Sequence, residues 1–227
     1  MIKFVLNISL SEKPVGLLDL FEVKPDIELY YNETEYECVV WGDPITTNNF
    51  SEELRKNNSV EYILYNIHGH FYYMYLNKIS GELYIGNSLF SILPVYYFKK
   101  DNSIVLSENA FFLGDYLGLN KINKQFILET LLFNYPLFNN SVIDGIMLLP
   151  SNSYILISNG KVSVTKHTFI ENFFEERPLS WGKSIGMMTD AFIEAVKKYL
   201  PDTHYASSLT GGFDGRTLTA AGLYYKK

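Results

Sequence analysis

Read for the spacing of its apolar positions, most of the chain has the two-residue or unbroken pattern of strands, and helical spacing takes over in two places. Residues 2–10 and 27–40, rich in β-branched and aromatic side chains, predict strands, the second ending at a break at Asp43-Pro44. The polar stretch 49–58 predicts one short helix around Ser51, Glu52, Glu53 and Leu54. A solid apolar run, Phe71-Tyr72-Tyr73-Met74-Tyr75-Leu76, is followed by a turn at 77–81 and by Glu82-Leu83-Tyr84-Ile85-Gly86, which predicts a hairpin. Val95, Tyr96, Tyr97 and Phe98 predict a further strand, turning at 99–103 to meet Ile104, Val105 and Leu106. At 123–133 the period changes. Phe126, Ile127, Thr130 and Leu131 recur at helical spacing behind Asn123, a side chain suited to an N-cap, and Tyr135-Pro136 stops the helix. Residues 141–150 read as a loop or short strand. Asn159-Gly160 between the apolar runs 153–157 and 162–164 is the strongest short-range hairpin signal in the chain. Beyond a linker at Glu175, Glu176, Arg177 and Pro178, residues 182–200 predict one long amphipathic helix. Its stripe is Ile185, Met188, Phe192, Ala195, Val196 and Tyr199, and Pro201 ends it.

Length complicates this picture, because 227 residues amount to roughly one and a half typical domains. With 47 % hydrophobic and 19 % charged residues, disorder and a solvated linker are excluded. The 18 Tyr and 16 Phe assign much of the core to aromatic strands. A net charge of -6 without any Lys/Arg-rich run argues against a nucleic-acid partner. Cys38 is the single cysteine, which excludes a disulfide framework and a cysteine-based zinc site; it reads as a small strand residue within Glu37-Cys38-Val39-Val40. Residues 1–7 lack the apolar segment and cleavage site of a secretory leader, and no window reaches the roughly 20 apolar residues of a membrane span. The expectation is a cytoplasmic chain with no membrane partner.

The chemistry-bearing segment lies near residue 210. Tyr205-Ala206-Ser207-Ser208-Leu209 reads as a strand feeding Thr210-Gly211-Gly212-Phe213-Asp214-Gly215-Arg216-Thr217, and helix-forming residues 218–221 follow. Strand, glycine-rich turn and helix in that order aim several main-chain N–H groups at one point. Glycines 211 and 212 are expected to turn with positive φ and to let an oxyanion approach without a Cβ in the way. No Gly-Lys-Ser/Thr follows, so this is not a Walker A loop. An acid at position 214 would repel a bare phosphate, so Asp214 implies a metal ion, Mg²⁺, between acid and phosphate. The bland alternative is a glycine pair that merely serves a tight turn.

The loop resembles the Ser-Gly-Gly-x-Asp-Ser pyrophosphate loop of ATP pyrophosphatases, in their asparagine-synthetase-like branch. Helix residues 191–200 look like the helix leading into that loop. Upstream, Gly69-His70-Phe71-Tyr72-Tyr73 is similar to the family's Gly-x-Phe-Ala-Phe strand, Leu93-Pro94-Val95-Tyr96-Tyr97 to Lys-Pro-Leu-Tyr-Tyr, and Leu106-Ser107-Glu108 to Ala-Ser-Glu. Gly145-Ile146 through Leu149-Pro150 resembles Gly-Ile-x-x-Leu-Pro. The matches run in order from about residue 60 onward.

The resemblance implies an α+β chain. Residues 1–172 would be a class II glutamine amidotransferase-like domain, an Ntn-hydrolase-like sandwich of antiparallel sheets with helices. Residues 180–227 would open an α/β nucleotide-binding PP-loop domain that this chain leaves incomplete. The implied activity is asparagine-synthase-like ATP-dependent amide-bond formation in the full-length parent, with a carboxylate adenylated and then attacked by an amine or ammonia. Cofactors would be ATP and Mg²⁺, and the partner a small-molecule or peptide carboxylate. The implied pyrophosphate-binding residues are Leu209, Thr210, Gly211, Gly212, Phe213, Asp214, Gly215, Arg216 and Thr217, with Asp214 on the metal.

Three departures follow. Ile2 stands where the amidotransferase nucleophile, an N-terminal cysteine, is required, so the glutaminase half is expected to be inactive and no residue is assigned a catalytic role. Thr210 and Gly215 replace the loop's two serines; Thr217 is expected to restore the missing donor, and Arg216 to pair with phosphate or a nearby carboxylate. Position 227 falls about ten residues after the loop, so the chain reads as a fragment without synthetase turnover of its own.

Other candidates carry less. His68 and His70 share one side of a strand as a conceivable metal pair that His167 would complete, surface or structural roles being the alternative. His204 precedes the loop, and the resemblance implies that Glu108, in the Ser-Glu match, lies near the sheet edge of the amidotransferase-like domain. The competing readings of the whole are a non-catalytic scaffold or peptide-binding module and an aromatic-rich carbohydrate-binding β-domain.

Overall fold

Alternation in the strands and capped starts in the helices are both visible in the computed structural model. It describes residues 3–12, 14, 16–46, 50–90, 92–168, 171, 179–201, 203–209 and 211–225. Contacts divide the chain into Met1–Ile170 and Glu171–Lys227.

In the first unit, β1 (Val5–Ser9), β2 (Phe21–Val23), β7 (Tyr96–Lys100), β8 (Ser103–Ser107) and β9 (Met147–Leu148) form a five-stranded sheet ordered β2-β1-β8-β7-β9. A six-stranded sheet, β11-β10-β6-β5-β4-β3, is built from β3 (Leu29–Asn32), β4 (Tyr36–Ile45), β5 (His68–Asn77), β6 (Glu82–Asn87), β10 (Ser153–Ser158) and β11 (Lys161–Lys166). Every pairing is antiparallel. The helices of this unit are α1 (Phe50–Lys56), α2 (Val60–Asn66), α3 (Ala110–Leu117) and α4 (Lys124–Phe133). The expected α+β sandwich of antiparallel sheets is what forms.

Three apolar cores separate four layers. Phe4, Leu6, Ile8, Ile104 and Leu106 of one sheet meet Val39, Trp41, Tyr72, Met74 and Ile85 of the other. On the far face of the six-stranded sheet, Cys38, Val40, Phe71, Tyr73 and Tyr75 lie under Phe50 and Leu54 of α1 and Ile63 and Leu64 of α2. On the far face of the five-stranded sheet, Val5 and Val105 pack with Ala110 and Leu113 of α3. The order is helices, sheet, sheet, helix. This explains the solid run 71–76: β5 is covered on both faces, so even an antiparallel strand loses the usual polar alternation.

Local signals hold where they were strongest. Asn159 (φ 51°) and Gly160 (φ 72°) make the β10–β11 turn, with the paired positive φ values that suit a two-residue hairpin loop. Asn123 Oδ1 accepts from the N–H groups of Gln125 and Phe126 at 3.0 and 3.2 Å and caps α4.

Four expectations are corrected. Residues 27–40 are not one strand but parts of two, β3 and β4, pairing from Asn32↔Glu37 to Leu29↔Val40. Pro44 does not break β4; it sits opposite Gly69, beyond Val40, where β4 has a ladder partner on one side only and a residue without an N–H is tolerated. Helices α2 and α3 went unpredicted, although each has a cap: Ser59 accepts from Tyr62 N, and Asn109 from Phe111 N and Phe112 N. They are seven and eight residues long, too short for period alone to reveal them.

The fourth correction concerns the second unit. Its described elements are α5 (Trp181–Tyr199) and α6 (Phe213–Tyr225), and residues 205–209, expected as a strand, have no regular secondary structure. A parallel strand takes its main-chain hydrogen bonds from neighbouring strands, and this unit has none among its described residues. Val196, 9 % exposed, is its one buried apolar side chain there; Ile185, Met188, Phe192 and Tyr199 of the expected stripe are exposed. The linker expected at 175–178 lies outside the described residues. No helix among the described residues is long and apolar enough to cross a membrane.

Candidate functional site

Residues 209–217 lead directly into α6. Gly211 and Gly212 are exposed and immediately precede Phe213, the first helical residue. Neither Gly211 nor Gly212 has the expected positive φ, and a Cβ added at Gly211 would meet no atom within 4 Å. The chain's own packing therefore does not demand glycine at 211. Thr210 lies outside the described residues, and Leu209 is exposed beside it.

Asp214 falls in the first turn of α6. A helix leaves its first four N–H groups without intrahelical acceptors, and they favour negative charge nearby. The Asp214 carboxylate is exposed and meets no partner among the described residues. The other side chains are committed differently from expectation. Arg216 pairs with no carboxylate among the described residues; its Nε donates to the Gly212 carbonyl at 3.3 Å, folding the guanidinium back onto the turn. Thr217 does not offer its proton outward, because Oγ1 donates to the Phe213 carbonyl at 3.0 Å, one turn earlier in the helix. Gly215 is partly covered.

Behind the loop, the second unit closes at one tight point. Gly222 of α6 is buried, and a Cβ there would come within 3.0 Å of the Tyr205 hydroxyl. His204, one residue earlier, is exposed and lines the same groove as Val196, Leu200 and Gly222. A second groove, between α5 and α6, is lined by Ile185, Phe192, Phe213, Asp214 and Thr217. The loop thus sits at the mouth of a mainly apolar cleft.

The first unit accounts for the remaining candidates. Cys38 is completely buried, and desolvation pushes its thiol far above the ordinary range, so it stays protonated. Glu108 accepts from the main-chain N–H of Phe4 at 2.9 Å and from Ser107 Oγ at 3.0 Å, anchoring the start of β1 to the end of β8. His68 and His70 lie opposite Ile45 and Asp43 on β4. No group of three His, Cys, Asp or Glu side chains among the described residues is placed to hold a metal ion. His167 does not complete the pair; its Nε2 is 2.8 Å from the Tyr73 hydroxyl and its ring lies 4.5 Å from that of Tyr154. Burial lowers its pKa to about 4, so the ring is neutral at pH 7. Sequence reasoning missed this contact because the two residues are 94 positions apart. A trace of it survives in Gly86, where a Cβ would come within 2.9 Å of the Tyr73 hydroxyl.

No protein-family model matches the chain, and no curated protein matches it. Among solved structures it is similar to the glutamine phosphoribosylpyrophosphate amidotransferase of B. subtilis, complexed with ADP and GMP, at 7 % identity and a TM-score of 0.32. The match covers 62 % of this chain and 31 % of that one, so this chain spans about a third of the protein it matches.

Proposed function

We propose that residues 209–217 form the pyrophosphate-binding loop of an ATP-dependent amide-forming ligase of the asparagine-synthase-like kind, carried here with an amidotransferase-like domain that has no glutaminase activity. One observation carries the reading: Gly211-Gly212 opens directly into the N-terminus of α6, and the first turn of that helix presents a carboxylate, Asp214, with no partner among the described residues. The residues fit the group they would hold. Nothing within 4 Å crowds the Cβ position of Gly211, and the first-turn N–H groups are natural hydrogen-bond donors to phosphate oxygens.

In this reading Asp214 holds Mg²⁺, and the main-chain N–H groups after Gly212 bind the phosphate oxygens. Mg²⁺ bound there would neutralise charge developing on departing pyrophosphate. Arg216 stiffens the turn through the Gly212 carbonyl, and Thr217 keeps an oxygen lone pair, not a proton, for the site. The substrate is a small-molecule or peptide carboxylate. The layered sandwich of antiparallel sheets and helices supports the amidotransferase-like reading of the first unit. The burial of its only thiol supports the lack of glutaminase activity.

Isothermal titration of the chain with Mg-ATP tests the loop: binding heat is expected, and Asp214→Ala abolishes it. No heat from the parent chain, or unchanged heat from the variant, rejects the assignment. Incubation with glutamine is expected to release neither glutamate nor ammonia, and release of either refutes the inactive half. A second reading, a non-catalytic partner-binding module, draws on the outward apolar face of α4, where Leu131 and Leu132 are exposed. That reading expects no response to Mg-ATP.

A further inference from the structure

Helix α4 is built inside out. Its apolar residues Ile127, Leu128, Leu131 and Leu132 are exposed, Leu131 at 77 % and Leu132 at 65 %, whereas its one acid, Glu129, is 6 % exposed. At 100° per residue the four apolar positions fall on one face, and Glu129 falls on the other. The inward carboxylate is held firmly. Gln125 Nε2 donates to it at 2.7 Å, and the main-chain N–H of Leu137 donates at 2.9 Å. The second bond fixes the segment after the helix, where Tyr135 and Phe138 are also exposed. None of these residues belongs to the three cores of the first unit.

The surface is large and uncharged. Together these residues leave on the order of 700 Å² of mostly apolar surface open, above the roughly 300–600 Å² of the largest patch on a typical monomer and somewhat under the roughly 800 Å² per partner of a standard interface. Between residues 125 and 143 the sequence holds a single residue of the Asp, Glu, Lys, Arg and His types, Glu129, and that one points inward. Two copies of net charge -6 repel one another through their charged surfaces; on this face there is no charge to oppose contact. Apolar positions at i, i+1, i+4 and i+5 form a stripe that complements itself when two such helices lie side by side. Run antiparallel, each copy's exposed Lys124, at the N-terminal end of α4, comes beside the C-terminal end of its mate, where the helix dipole favours a cation.

We propose that the outward face of α4 is a self-association surface, on which a second copy of this chain docks by an antiparallel, two-fold α4–α4 contact. The proposal is independent of any reading of residues 209–217. Sedimentation velocity of the full chain over a concentration series tests it, with far-UV circular dichroism as the control for folding. A monomer–dimer equilibrium is expected. Leu131→Glu and Leu132→Glu, both at exposed positions, should each leave the spectrum unchanged and weaken association at least about a hundredfold, because a carboxylate would have to be buried unpaired. Met188→Glu, at an exposed position on α5, should leave the dimer intact. A parent chain that stays monomeric throughout overturns the proposal, as does a dimer that survives the α4 substitutions or is lost through Met188→Glu.

Discussion

Strand β5 and helix α5 are comparably rich in large apolar side chains, and their fates differ. In β5, residues 71–76 are all buried, because one face is covered by the second sheet and the other by α1 and α2. In α5 the stripe is equally regular, but Val196 alone is buried. Periodicity identifies which side chains need cover. It does not say whether the surrounding chain supplies it. The first unit meets that need with three cores, and the second concentrates its packing around Val196, Tyr205 and Gly222.

The contrast can be broken most directly at Trp41, which is fully buried between Phe4, Phe21 and Tyr72. Trp41→Ala should cost about 3–5 kcal/mol in urea denaturation, through lost burial and the cavity left behind. Trp41→Phe should recover much of this, since the indole N–H it removes has no hydrogen-bond partner among the described residues. A loss below about 1 kcal/mol for the alanine variant would show that the inter-sheet core is not close-packed.

The His167–Tyr73 contact sharpens the comparison next. Its folded pKa of about 4 lies below the ordinary 6.5, so between these values the unfolded chain binds a proton that the folded chain does not. Stability from this group is complete above pH 6.5, declines as pH falls toward 4 and is flat below that, a total on the order of 3 kcal/mol. Urea titrations at successive pH values should show the slope in the parent and a flatter profile in His167→Gln. Identical profiles would remove His167 as the cause.

The smallest effect is expected in the second unit. Val196→Ala should change global unfolding by less than about 1 kcal/mol, because few neighbours surround the deleted methyl groups and the site opens to solvent. Its signature should be faster amide hydrogen exchange confined to α5 and α6. A loss as great as that of Trp41→Ala would end the distinction between the two regions.

Legibility in the sequence followed the range of each signal. The Asn159-Gly160 turn and the Asn123 cap act over two or three residues, and both stand where the sequence places them. The strand expected before Gly211 did not form, because apolar residues there specify a strand only if neighbours supply its hydrogen bonds. At the candidate loop, residue types could be read directly. The engagement of Thr217 Oγ1 with the Phe213 carbonyl and of Arg216 with Gly212 could not, since each depends on where the helix begins. The inward turn of Glu129 was equally hidden: its helical period was plain, yet the usual rule puts the acid outside.

By itself the chain's amino-acid order determined most strands, the tight turns and the long helix α5, since these rest on φ preferences, caps and spacing between near neighbours. Tertiary structure alone decided the order of strands in two sheets, the double cover of β5, the pairing of Tyr73 with His167 and the outward face of α4. Burial and cross-strand hydrogen bonds are made between residues far apart in the chain, and no local pattern encodes which distant surface arrives.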